Sequence, residues 1–388
     1  MGISFQQMVK VGSYVLKHQL KGTKRYPLVL MLEPLYRCNL ACAGCGKIDY
    51  PSDILNQRMS HDECIGAIKE CGAPGVVIAG GEPLLHKELP QIVETALAMG
   101  KIVIVCTNAL LLEKNIHKFK PHPCFSWSLH LDGDQEDHDR SVCQDGVYEK
   151  VIRCIKLAKD MGFRTQINCT LFNNADPARV AAFFDTMKDM KIDGITVSPG
   201  YTYERAPDQE HFLTRQETKN LFRAIFALGS GGKKWSFTQS GMFLDFLAGN
   251  QSYACTPWSM PARTVFGWQK PCYLLGEGYV PTFKELMEST DWDAYGVGNY
   301  EKCANCMVHC GFEGSAVKAT FKNPLKALKV ALFGVNTQGD MAKDIDLSHA
   351  RPANYVFSKH VEDAMAKIKA EKEAKAAASA AESYEPAE

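Results

Sequence analysis

The sequence predicts an α/β protein built on a parallel sheet, and three observations carry that reading. From Pro27 to Gly200 short apolar, β-branched runs alternate with amphipathic helical stretches. After Gly200 that alternation stops and aromatics, glycines and five cysteines take over up to about Gly314. The first apolar run also leads directly into a loop with three closely spaced cysteines, YRCNLACAGCG.

The expected strands are Leu28 to Glu33, Gly75 to Gly80, Lys101 to Cys106, Cys124 to His130, Arg164 to Thr170 and Gly194 to Pro199. Between the first two lies SHDECIGAIKECG, where Ser60 can cap a helix and Glu63, three residues on, completes a capping box. Six such repeats curl into a partial (β/α)6 barrel or open into a doubly wound sheet. In the barrel, functional residues sit at the C-terminal strand ends. The segments expected are an amphipathic helix over 1–26, the parallel α/β unit over 27–200, a Cys-rich extension over 201–320, a helical segment over 321–362 and a low-complexity tail, a frayed helix or disordered, over 363–388.

Hydrophobic residues make up 46% of the 388, enough for a large core, and the formal net charge of zero argues against a nucleic-acid partner. Fifteen cysteines in a chain whose opening MGISFQQMVK shows no cleavable apolar leader point to a reducing cytoplasm, where clustered thiols hold metal or do redox work. No apolar run approaches the roughly 18–20 residues that span a bilayer.

Cys38, Cys42 and Cys45 follow C-x3-C-x2-C spacing in one short loop. Thiolates are the usual ligands of iron–sulfur clusters, and four-iron clusters usually take four. Three cysteines therefore leave one iron open to a small molecule. A structural zinc site, the bland alternative, wants four ligands, and no partner knuckle lies nearby.

With GGEP at the end of the second strand (Gly80, Gly81, Glu82, Pro83), this triad resembles that of the radical S-adenosylmethionine (SAM) superfamily. The resemblance implies a TIM-like partial barrel carrying a [4Fe-4S] cluster on Cys38, Cys42 and Cys45. It also implies that the open iron chelates SAM and that one electron cleaves SAM to methionine and a 5′-deoxyadenosyl radical. In that family GGEP contacts the SAM amine, and Glu82 is an acceptor suited to an ammonium. SLHLDGDQEDHDR resembles the family's fourth-strand motif, with His130 where a serine is usual. Asn168 and Thr170 on the fifth strand, and Val197, Ser198 and Pro199 on the sixth, occupy positions the family uses for ribose and adenine contacts.

Cys255 and Cys272 bracket Gly267 as C-x11-G-x4-C, and Cys303, Cys306 and Cys310 follow in CANCMVHC. The arrangement is similar to the extension of radical SAM enzymes with an auxiliary cluster. Cys255, Cys272, Cys303 and Cys306 are the simplest set for a second metal site, iron–sulfur or zinc; free thiols packing a compact domain are the alternative.

Two features bear on the reaction. Period-two alternation puts Cys106 on one face with Ile102 and Ile104 at the barrel mouth, where a weak S–H bond suits it to quench a carbon radical. Cys169 is the runner-up, Cys124 is expected to face the wrong way, and packing as a small hydrophobe is the alternative role for all three. Phe5, Met8, Val9, Leu16 and Leu20 recur at helical spacing among Lys10, Lys17, Lys21, Lys24 and Arg25, and NPLKALKVALFG repeats the pattern. Such helices either pack on the barrel or lie on an anionic membrane, peripheral to its inner face.

Over nearly all its length, including FQQMVKVGSYVLKHQLKG and CTPWSMPARTVFGWQKPCYLL, the chain resembles the radical SAM enzymes of hopanoid biosynthesis. That resemblance implies addition of the deoxyadenosyl radical to the terminal alkene of a hopene (diploptene), a polycyclic triterpenoid lipid, with a flavodoxin or ferredoxin as reductant. The alternatives are a radical SAM enzyme modifying a peptide or protein by hydrogen abstraction, and a non-catalytic iron–sulfur carrier or sensor.

Overall fold

Each of the six apolar runs forms a strand in the computed structural model, which describes residues 4–202, 206–353 and 357–382. They are β1 (Val29–Glu33), β2 (Gly75–Ile78), β3 (Ile102–Thr107), β4 (Phe125–His130), β5 (Arg164–Leu171) and β6 (Gly194–Pro199). All five neighbouring pairs are parallel and stand in chain order, with Leu30 opposite Val76, Val77 opposite Ile104, Cys106 opposite Ser128 and His130 opposite Asn168. This is the (β/α)6 sheet of a radical-SAM-type partial barrel, not a doubly wound order.

Alternation along β4 shows how the sequence sets the two faces. Phe125 and Trp127 are fully buried and pack with Phe119 and Phe163, ring centroids 4.8–6.2 Å apart. Ser126, Ser128 and His130 point the other way, into the central cavity. The helix His61–Cys71 starts at the expected box: Ser60 Oγ accepts from Glu63 N at 3.3 Å, and Glu63 Oε2 accepts from Ser60 N at 2.7 Å.

Beyond residue 200 the sheet continues where the sequence shows few clear strands. β7 (Ala262–Thr264) lies parallel to β1, and β8 (Gly267–Pro271) and β9 (Gly276–Val280) extend it antiparallel, giving nine strands. These strands are three to five residues long and contain Gly, Lys and Pro, so period-two patterning is too short to read. Gly267 turns the β7–β8 hairpin at φ 130°, and a Cβ there would meet Val280 O at 2.8 Å.

The N-terminal helix, Phe5–Leu20, lies across the N-terminal end of the barrel. Gln7 Nε2 donates to Pro123 O at 3.2 Å just before β4, and Lys10 Nζ donates to Gly100 O just before β3. Its inward face carries the buried Gln7 and Val15, while Met8, Val9, Leu16 and Leu20 are exposed; the Phe5 side chain lies outside the described residues. The helix His309–Lys322 runs from the mouth to that same end. His309 Nδ1 is 2.8 Å from Ser198 Oγ, and Lys318 Nζ donates to Lys24 O at 3.3 Å.

The described part of the tail is helical. A helix spans Phe357–Glu382, and Ile368 is buried in a cluster with Tyr36 and Ile54, with Val361, Ala364 and Met365 packed against it. Those four residues stand at i, i+3, i+4 and i+7, an apolar stripe hidden within alanine- and lysine-rich sequence. Residues 383–388 lie outside the described residues.

Candidate active site

β1 delivers the chain to the cavity mouth, and the loop after it carries Cys38, Cys42 and Cys45, all half-buried and all on the cavity wall. The loop is tied down at several points. Ala43 N donates to Ser141 O at 2.9 Å, Asp208 N to Ala43 O at 3.0 Å, and Asn108 Nδ2 to Asn39 Oδ1 at 2.8 Å. Burial pushes the Cys38 thiol up to about 11 and also raises Cys42 and Cys45, so a metal must displace protons to bind here.

Gly80 and Gly81 act on this loop directly. Gly81 N donates to Leu35 O and Glu82 N to Arg37 O, both at 2.9 Å. A Cβ on Gly80 would fall against Leu35 O and one on Gly81 against Arg37 O, well inside van der Waals contact. The glycines therefore let the end of β2 lie against the backbone of the cysteine loop. Glu82 is 1% exposed, and its carboxylate accepts from Leu84 N (3.0 Å), Thr107 Oγ1 (2.8 Å) and Asn108 N (2.9 Å). It joins the ends of β2 and β3, and burial raises it to about 7 despite those donors. Pro83 is off the cavity wall; it is buried and starts the short turn Pro83–Leu85.

The cavity, about 540 Å³, runs from the cysteine loop to the barrel floor. Val29, Met31, Val77, Ile102 and Ile104 line its β1–β3 side, and Ser126, Gln166, Asn168 and Thr196 its β4–β6 side. Cys106 is on this wall; Cys124 and Cys169 are buried off it. Cys169 is displaced as a radical quencher by simple alternation, because its neighbours Asn168 and Thr170 face in. Burial pushes Cys106 up to about 12, so it holds its proton at neutral pH. Ser198 and Pro199 reach the wall, whereas Val197 is buried away from it.

His130 enters the cavity held by Asp132, Nε2 to Oδ2 at 2.6 Å. Burial alone would lower His130, but the Asp132 charge and hydrogen bond outweigh it and raise the imidazole; the same pairing lowers Asp132 against its own burial. Ser141 Oγ and Thr170 N also donate to Asp132, at 3.0 and 2.8 Å. His138 completes the cluster, its Nδ1 accepting from Asp132 N at 3.3 Å, and burial drops it to about 4.

Sequence reading missed a polar pair on the helix behind the cavity. Burial lowers His309 to about 4 and raises Glu313 to about 7; both line the wall, and Glu313 Oε1 accepts from Ser240 N at 2.9 Å. Their i, i+4 spacing, one face of a helix, was the available signal.

The second cysteine group also converges. Cys255 is raised by burial first and then by Cys306, Cys272, Cys303 and Cys310. Burial pushes Cys272 to about 11 and Cys306 to about 12. Cys310 joins as a fifth thiol, one more than a four-ligand site needs. A zinc with sulfurs at ~2.3 Å brings them within about 3.8 Å of each other. Among the described residues the one set of three donor atoms within 4.8 Å of each other is His130, Asp132 and His138. Neither cysteine group brings three sulfurs that close together.

Residues 32–187 match the radical SAM superfamily, and residues 195–330 match a domain of unknown function, DUF3463. The chain carries a radical SAM domain. Its cysteine triad fits the [4Fe-4S] cluster and SAM that this superfamily uses: three thiols for four irons, at the mouth of a cavity with room for a small molecule. The Fe-coproporphyrin III synthase of Methanosarcina barkeri is 24% identical over 181 residues, covering 46% of this chain and 45% of that protein. The GTP 3′,8-cyclase of Mannheimia succiniciproducens is 27% identical over 162 residues, covering 40% and 48%. The chain thus spans about half the length of these curated relatives. The fold is shared with Streptococcus suis SuiB (TM-score 0.59, 16% identity, 78% of this chain and 76% of that one). It is also shared with anSMEcpe bound to AdoMet (TM-score 0.56, 20% identity, 79% and 95%).

Proposed function

We propose that this chain is a radical SAM adenosyltransferase that joins the 5′-deoxyadenosyl group to the terminal alkene of a hopene, an adenosyl-hopene transferase. One observation carries the reading: Cys106 is the one cysteine outside the cluster loop on the cavity wall among the described residues, a neutral thiol beside the apolar β1–β3 side.

The cluster on Cys38, Cys42 and Cys45, when bound, supplies the electron that splits SAM into methionine and the deoxyadenosyl radical. The Gly80-Gly81 backbone and Glu82 hold the cysteine loop, Asn168 faces SAM from β5, and the apolar wall positions the hydrocarbon. Addition to the alkene forms one C–C bond and leaves a tertiary carbon radical. Cys106 then gives its S–H hydrogen to that carbon and becomes a thiyl radical, which a second electron and a proton restore. SAM, the alkene, two electrons and one proton thus yield methionine and adenosylhopane. A flavodoxin or ferredoxin is the natural electron source. Cys255, Cys272, Cys303 and Cys306 hold a second metal, iron–sulfur cluster or zinc, in this reading.

The test is anaerobic incubation with SAM, a strong reductant and diploptene, followed by mass spectrometry of the lipid. An adenosylated, saturated lipid supports the proposal; free 5′-deoxyadenosine with unchanged lipid refutes it. A second reading, peptide modification by hydrogen abstraction, draws on the likeness to SuiB, which has been captured with its precursor peptide SuiA.

A further inference from the structure

Two helices at the barrel floor leave apolar faces uncovered. On the N-terminal helix Val9, Leu16 and Leu20 are 53%, 51% and 80% exposed, on the side opposite the inward-facing Gln7, Val11 and Val15. On the helix Pro324–Phe333, Leu325, Leu328 and Leu332 are 83%, 54% and 52% exposed at i, i+3 and i+7, while Val330 is buried. Both helices belong to the same end of the barrel. The first is tied to residues just before β3 and β4. The second follows the helix that descends from Ser198 at the mouth to Lys24 at the floor.

Charge is distributed to match. Residues 1–32 contain Lys10, Lys17, Lys21, Lys24 and Arg25 and no acid. Residues 314–339 contain Lys318, Lys322, Lys326 and Lys329 and again no acid. The chain as a whole has net charge zero, so nine cations without one acid in these two segments is a local segregation. Acids from other elements reach two of them, Asp293 pairing Arg25 at 2.9 Å and Asp245 pairing Lys326 at 3.4 Å. Apolar faces flanked by lysines fit an anionic bilayer: leucines enter the acyl boundary and lysines meet the headgroups. Among the described residues no helix is long and apolar enough to cross a membrane, so the contact is with its surface.

We infer that the barrel floor is a docking surface for an anionic lipid bilayer. The cavity lies one helix behind it, since Gln7 and Val11 of the first helix and Val317 of the descending helix line its lower end. A lipid substrate therefore enters from the floor, while the cysteine loop holds the mouth. The entry route rests on the lipid-substrate reading; the docking does not.

The experiment is sedimentation of the full chain with vesicles of phosphatidylcholine alone or with about a third phosphatidylglycerol. Binding is expected to the anionic vesicles only, to weaken in 0.5 M salt, and to fall at least tenfold in Leu16→Asp/Leu20→Asp and in Leu325→Asp/Leu328→Asp. These side chains are exposed, and unchanged thermal unfolding of the variants verifies their fold. Failure to bind anionic vesicles, or wild-type binding by both variants, overturns the inference. So does a dimer that either variant dissociates, since a second copy is then the occupant. Vesicle binding without an adenosylated lipid leaves the docking standing and removes the hopene reading.

Discussion

Replacing Cys106 by alanine separates radical formation from radical quenching. The side chain is half-buried on a cavity wall, so losing its sulfur costs about 1 kcal/mol of stability and leaves a folded protein. SAM cleavage is set by the cysteine loop, across the mouth, and continues. Saturated product, by contrast, loses its donor. Cys124 and Cys169 are buried off the wall and cannot substitute. Its yield per SAM consumed should fall at least about 100-fold, equivalent to ~2.7 kcal/mol on the quenching barrier, with unsaturated or wrongly quenched adducts in its place. A thiol pushed up to about 12 stays protonated, so donation in the wild type should not change between pH 7 and 9. The assay is mass spectrometry of products made in D2O, where the exchangeable S–H becomes S–D. Wild-type enzyme should place one deuterium on the former alkene carbon. Normal saturated product from Cys106→Ala, deuterated or not, refutes the donor role.

Gly81→Ala drives a Cβ into Arg37 O, so iron content after reconstitution should drop along with ~1–3 kcal/mol of stability, read by iron assay and denaturant midpoint. Phe125→Ala opens the aromatic core under β4 and should cost about 3–5 kcal/mol by denaturant unfolding, without changing the product ratio. Glu313 is raised by burial to about 7 from 4.5, so the neutral form favours the fold. Its contribution is complete below about pH 4.5 and is lost as pH rises through 7, with stability falling by about 1.4 kcal/mol for each step of one in pH between those limits. Glu313→Gln should flatten that fall in a pH series of unfolding midpoints. Cys303→Ser/Cys306→Ser should halve the iron bound after reconstitution while the triad's EPR signal persists; unchanged iron content refutes the second cluster.

The strands and the cysteine loop were legible because their signals are local. Six apolar runs, β-branched or aromatic for the most part and each four to eight residues long, declare themselves by composition, and the triad occupies eight consecutive positions. The helix at Ser60 announced its start in four residues. What failed was of another kind. β7–β9 are too short for periodicity, and they are strands because β1 offers β7 an open edge with Met31 opposite Ala262. The stripe Val361, Ala364, Met365 and Ile368 crosses from the charged helical segment into low-complexity sequence and became a packed face only where Tyr36 and Ile54 met it.

The sequence by itself determined the parallel sheet, the three-thiol loop and the side of β3 on which Cys106 stands, because each depends on residues adjacent in the chain. Tertiary structure alone decided that the glycines of GGEP support the cysteine loop, that His309 and Glu313 reach the cavity, and that five distant thiols converge. It also decided which helix faces stay bare at the floor. Those outcomes depend on which surfaces meet between segments far apart in the chain, and no local pattern encodes the meeting.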